Sequence, residues 1–172
     1  MPSVEIELNP VDFVTVGTIG PKGKRVFHLQ AGKGSQLISL TIEKEQAWAL
    51  SDAIKELIED LEKRFPLKQS EVDLSKIDMD LREPIEPIFR VAQMALGYDE
   101  DRDMVVLVAQ ELVVVDQTEE EELLEEAKPD PGIVRMWCNR EQMRALSQQA
   151  MSMVQSGRAD PKQNGRLVYY WT

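Results

Sequence analysis

The chain has 172 residues, is 42% hydrophobic and 30% charged, and carries a formal net charge of −11 with one His and one Cys. Those proportions are those of a folded protein and exclude wholesale disorder, and the length suits one domain with its own core. A single His and a single Cys exclude an intramolecular disulfide and any multi-histidine metal site.

The chain opens with Val4–Leu8, which alternates apolar and acidic residues as a short strand does, and Asn9-Pro10 breaks it. Phe13–Ile19 is rich in β-branched residues and predicts a strand. Gly20-Pro21-Lys22-Gly23 is a turn, and Arg25–Ala31 the returning strand. Gly32-Lys33-Gly34 turns the chain again into a strand over Gln36–Ile42. The period then changes. Ala47, Leu50, Ile54, Leu57, Ile58, Leu61 and Phe65 mark one face of an amphipathic helix from Lys44 to Arg64, which stops before Pro66. Lys68–Glu83 is a polar connector with a short strand expected near Ile77–Leu81. Ile88–Tyr98 predicts a strand, Asp99–Asp103 a charged turn, and Met104–Val115 a long apolar strand expected either to be buried on both faces or to hold a central position in its sheet. Residues 116–130 carry −7 of the net charge, so the rest of the chain is an ordinary −4. Ile133–Cys138 is a further strand. Asn139 caps a last helix, with Gln142 as its capping-box partner and Met143, Leu146, Ala150, Met153 and Val154 as its apolar stripe. No apolar run approaches the ~20 residues of a membrane-spanning helix. Met1-Pro2-Ser3-Val4-Glu5 shows no basic region leading an apolar one, so a reducing, cytoplasmic setting without membrane contact is expected.

The order of elements repeats. Glu45-Gln46-Ala47-Trp48-Ala49-Leu50-Ser51 parallels Glu141-Gln142-Met143-Arg144-Ala145-Leu146-Ser147, five identities in seven. Phe13 and Phe89 open the two hairpins, and Gln30 and Gln110 lie near the ends of the return strands. The expected architecture is therefore α+β: two pseudo-symmetric βββα repeats forming antiparallel sheet, with both helices packed on it about a pseudo-twofold axis. The expected organisation is one domain over 1–157, with repeat one at 1–65, a connector at 66–84, repeat two at 85–157 and an acidic insertion at 116–130. Residues 158–172 form a tail whose Leu167-Val168-Tyr169-Tyr170-Trp171 suits an edge strand in this sheet or a neighbour's.

Few residues offer chemistry. Asp99, Asp101 and Asp103 have the spacing that opens a calcium loop, but Met104 stands where glycine is needed and Gln110 where the closing Glu would be, so a charged hairpin turn is expected. Gly17, Gly20, Gly23, Gly32 and Gly34 join strand to strand, and a phosphate loop needs a following helix, so turn glycines are expected. Lys22, Lys24, Arg25 and Lys33 are candidate interaction residues of a modest basic patch, and Tyr169, Tyr170 and Trp171 of an aromatic one. His28, mid-strand, is expected to be structural or on the surface, and Cys138 to be a buried small hydrophobe.

Phe13-x-x-Val16-Gly17-Thr18-Ile19-Gly20-Pro21-x-Gly23-x-Arg25-x-Phe27-x-Leu29-Gln30-Ala31 resembles the opening of an uncharacterised bacterial family of conserved hypothetical proteins, a domain of unknown function. The likeness extends to Leu40-x-x-Glu43-Lys44-Glu45-Gln46-x-x-Ala49-Leu50, to Arg90-Val91-x-x-Met94-Ala95-Leu96 and to Ser156-Gly157-Arg158. The resemblance implies a fold and a compartment and no activity. That family's members typically close with a zinc-ribbon-like segment of cysteines and a histidine. Here Gly157-Arg158 runs into Asp160-Pro161-Lys162-Gln163-Asn164-Gly165 without those ligands, so no zinc site carries over.

With no nucleophile–base pair, metal set or cofactor fingerprint, the expectation is a non-catalytic protein-binding or assembly protein that uses no cofactor and binds a protein partner or itself. The alternative is single-stranded nucleic-acid binding on the plan of PUR or Whirly domains, disfavoured by charge. It requires Lys24, Arg25 and Arg90 to share a sheet face with Phe27 or Phe89. A third reading is a small-ligand site or an enzyme that works with carboxylates or His28.

Overall fold

The computed structural model describes residues 4–21, 23–66, 74–113 and 130–156. Seven strands and two helices follow in chain order: β1 (Glu5–Leu8), β2 (Phe13–Ile19), β3 (Val26–Lys33), β4 (Gln36–Ile42), α1 (Lys44–Arg64), β5 (Pro87–Asp99), β6 (Met104–Glu111), β7 (Ile133–Cys138) and α2 (Arg140–Ser156). The strands form one mixed sheet in the order β1-β7-β6-β5-β4-β3-β2, with both helices packed on it, so the fold is α+β.

β2, β3 and β4 make one antiparallel meander, and β5, β6 and β7 the other. The joints between them are parallel. Pro87 and Arg90, at the start of β5, pair with Ser39 and Thr41 of β4, and from Val91 onward β5 pairs antiparallel with β6. β1 pairs parallel with β7, from Glu5 opposite Ile133 to Leu8 opposite Met136. Thus β1, which the sequence assigns to the first repeat, joins the sheet of the second, and the first residues of β5 join the sheet of the first. Strand pairing across the two halves is invisible to local pattern because it depends on partners distant in sequence.

The helices run antiparallel across one face. Glu43 and Gln46 form a capping box at the start of α1. At α2, Asn139 Oδ1 accepts from the Gln142 amide at 2.8 Å and the Asn139 amide donates to Gln142 Oε1 at 2.9 Å, as the sequence predicts. Where the helices cross, Ser51 Oγ donates to Ser147 O at 2.7 Å and Ser147 Oγ to Ser51 O at 2.8 Å. These small residues let the two backbones approach closely. The core lies between helices and sheet: Val16, Leu29, Leu40, Leu107 and Met136 from the strands meet Ala47, Ile54, Met143 and Leu146 from the helices.

Two expectations need correction. No strand forms at Ile77–Leu81. Leu74–Lys76 is a 3-10 turn, and the chain beyond it crosses the sheet face opposite the helices as a strap. Its backbone bonds to side chains instead of to a strand edge: Thr15 Oγ1 donates to Met79 O at 2.6 Å, Gln30 Nε2 to Arg82 O at 2.8 Å, and the Arg82 amide to Gln30 Oε1 at 2.7 Å. β6 ends at Glu111 instead of Val115, although the Leu112 amide still donates to Arg90 O of β5; Val114 and Val115 lie outside the described residues. Of the two settings its apolar run suggested, β6 takes the central position, between β5 and β7, and not burial on both faces. Val105, Leu107 and Ala109 are buried under the helices, whereas Val106 and Val108 on the other face are half-buried.

Candidate functional site

β5 is the longest strand, and its two halves have different neighbours. From Gln93 to Asp99 its residues pair with β6 alone, so among the described residues its second edge carries no strand. α1 lies over that edge. Gln46 Nε2 reaches down to Val91 O at 3.0 Å and Ala92 O at 3.3 Å, tying the helix start to the strand. Beyond that tie the facing residues are small. Ala49 and Ala53 on the helix and Ala92 and Ala95 on the strand line a groove of about 330 Å³, floored by Leu50, Met94, Leu96 and Leu107. Side chains longer than alanine at Ala49 and Ala53 would narrow it. The lining is almost wholly apolar, with Gln46 and Gln93 at the margin. An open strand edge beside such a groove supplies backbone hydrogen bonds and alternating side-chain pockets together, which is what an added strand requires.

A second depression, about 490 Å³, is lined by Arg25, Phe27, Ile42, Glu43, Lys44, Glu45 and Arg90. Its cations are largely answered by its acids, and Arg90 is paired with Glu43. Phe27 is only 5% exposed, so it offers no stacking face. Phe89 is buried too, against Gly132.

The sequence-derived candidates are dispersed. Lys24 is exposed and Arg25 half-buried at the start of β3, whereas Lys33 closes the same strand about 25 Å away at ~3.3 Å per residue. Lys22, Tyr169, Tyr170 and Trp171 lie outside the described residues, as does the acidic insertion except Asp130, which is exposed. His28 is buried among neighbours of β2 and β4, where desolvation lowers its pKa, and among the described residues its Nδ1 has no partner. Cys138 is fully buried, and burial pushes its thiol pKa up. Asp99 Oδ1 accepts from the amides of Asp101 and Arg102, so this carboxylate organises the turn. Among the described residues no three His, Cys, Asp or Glu side chains are grouped to hold a metal.

One buried cluster had no place in the sequence reading. Arg140, 2% exposed, donates to Asp103 Oδ1 at 2.9 Å, to Phe65 O at 2.7 Å and to Tyr98 Oη at 3.4 Å, and Tyr98 Oη donates to Asp103 Oδ1 at 2.6 Å. Burial raises the Tyr98 pKa, and the bond to Asp103 adds to it. Burial works against the Arg140 charge, but Tyr98 and Asp103 outweigh it and hold its pKa above the usual value. The cluster locks the end of α1, the β5–β6 turn and the start of α2. A signal did exist, because a cation in a helix's first turn opposes the helix dipole and needs a partner. The groove likewise had a faint signal in the i, i+4 alanines on the flank of α1.

These features define an α+β protein with a mixed seven-stranded sheet, two crossing helices and an open groove at a strand edge. The chain belongs to the family described as Protein of unknown function (DUF3090), which matches residues 6–164. No curated protein and no solved structure matches it significantly.

Proposed function

We propose that this chain is a non-catalytic binding protein that receives an extended segment of a protein partner along the free edge of β5. The carrying observation is the apolar groove between that edge and α1, lined by Ala49, Ala53, Ala92 and Ala95. Its size suits small and medium apolar side chains of an added strand, and the Gln46 tie fixes the helix start on the strand beside the groove. A single buried cysteine and the absence of a membrane-length apolar helix among the described residues fit a cytoplasmic bacterial protein. Single-stranded nucleic acid is the weaker reading. The depression that brings Arg25 and Arg90 beside Phe27 also holds Glu43 and Glu45, with Arg90 already paired to Glu43, and its aromatic ring is buried.

The test is a pull-down from the source cell at low and high salt, with the wild-type chain and Ala53→Arg. A stoichiometric protein that survives high salt and is lost with Ala53→Arg, while circular dichroism stays unchanged, is the expected result. Nucleic acid released by salt, or a protein captured equally by both chains, overturns it.

A further inference from the structure

The groove beside β5 has a charged outer rim. α1 runs along the strand, from the Gln46 tie at Val91 O to Phe65, whose ring centroid lies 5.7 Å from that of Tyr98. On the helix surface the inner neighbours of Ala49 and Ala53 are Gln46, Leu50 and Leu57, which face the strand or the core. Their outer neighbours, three or four residues away, are Glu45, Asp52 and Glu56, and all three are exposed. Among the described residues none of these acids is ion-paired, whereas Glu43, Asp60 and Glu62 each meet an arginine. The row holds no cation before Lys63, in the last turn of the helix. From Glu45 to Glu56 it is about 16 Å long at ~1.5 Å per residue, the length of about five residues of extended chain. Beyond the end of the free edge, Glu100 and Asp101 are exposed as well. Trp48, 51% exposed, stands beside the row, next to Glu45 and Asp52 at helical spacing.

We infer that the protein segment received along β5 is basic, with Lys or Arg side chains flanking an apolar one on its helix-facing side. This rests on the strand-edge reading of the groove and names the chemistry of its ligand. Helix-facing residues of an added strand recur at every second position, so one apolar side chain enters the groove while its neighbours on that side reach past it. A Lys or Arg there lays its aliphatic stem over Ala49 or Ala53 and brings its charge to Glu45, Asp52 or Glu56, so both halves of the side chain are matched. An Arg that passes Glu45 and Asp52 also meets the exposed indole of Trp48, whose face attracts a cation. The same row of acids repels the phosphates of nucleic acid and of an anionic lipid surface, which leaves a basic protein segment as the ligand that fits both groove and rim.

The test titrates the isotope-labelled full chain with three end-blocked heptapeptides, Thr-Lys-Thr-Val-Thr-Lys-Thr and its counterparts with Gln or Glu in place of both Lys, and follows the amide shifts. The Lys peptide is expected to move the amides of Ala49, Ala53 and Gln93–Asp99. Its Kd should be about fivefold below that of the Gln peptide at low salt, since exposed ion pairs are individually weak, and the gap should close as salt is raised. The Glu peptide should bind least. In a chain carrying Glu45→Gln, Asp52→Asn and Glu56→Gln, the Lys peptide should lose its advantage while the Gln peptide binds as before. Equal binding of the three peptides in the groove overturns the inference and leaves the strand-edge reading standing. Shifts with the Lys peptide that persist in Ala53→Arg overturn it as adsorption outside the groove. No groove shift with any of the three overturns both.

Discussion

Arg140 shows how one side chain ties three elements. Its fork reaches Asp103, Tyr98 and the Phe65 carbonyl, and no shorter cation reproduces that geometry. Arg140→Ala takes the cation from Asp103 and the donor from the Phe65 carbonyl and should cost about 2–4 kcal/mol in urea unfolding, with Arg140→Lys recovering less than half. His28 makes a prediction about pH. Burial lowers its folded pKa below the unfolded value near 6.5, so the unfolded chain takes up the proton first. Stability is then full above that value and falls as the solution is acidified through it. The wild-type urea midpoint should therefore drop between pH 7.5 and 5.5 by more than that of His28→Gln, and equal drops would show that His28 does not carry the effect.

At the scale of elements, the strap is the feature that local pattern misread. Ile77–Leu81 has the alternation of a strand, yet the segment lies across the sheet and spends its backbone groups on Thr15 and Gln30. Its fit depends on Gly17. Gly17→Val should destabilise the fold by about 1–3 kcal/mol through overlap with Leu81, and adding Leu81→Ala should return part of that loss. The same loss with and without Leu81 would place the strain elsewhere. The helix starts were legible because capping is local chemistry. Asn139 with Gln142, and Glu43 with Gln46, need only residues three apart. Gln46 also holds the groove, so Gln46→Ala should cost about 1 kcal/mol and loosen partner binding, measured on the complex recovered in the pull-down.

At the scale of the whole molecule, the halves are laced together through β1 on β7 and the start of β5 on β4, so opening one sheet disturbs the other. Cys138 sits inside that laced core, fully buried with a raised pKa. Its reaction with a thiol reagent should therefore follow global unfolding, with the native rate lower by orders of magnitude and rising in step with the fraction unfolded in urea. Fast labelling of the native chain would show that the core opens locally at β7.

What the sequence determined by itself is what short-range physics controls. The periods of 2 and 3.6 placed seven strands and two helices to within a few residues, turn chemistry placed the hairpins, and the caps placed the helix starts. Only the tertiary structure decided which strands became neighbours, that the connector became a strap, that Lys24 and Lys33 lie at opposite ends of β3, and that four alanines from two distant segments line a groove. The physical reason is common to all four. Each depends on contacts between residues far apart in sequence, whose energy exists only once the core has brought them together, and no local periodicity encodes it.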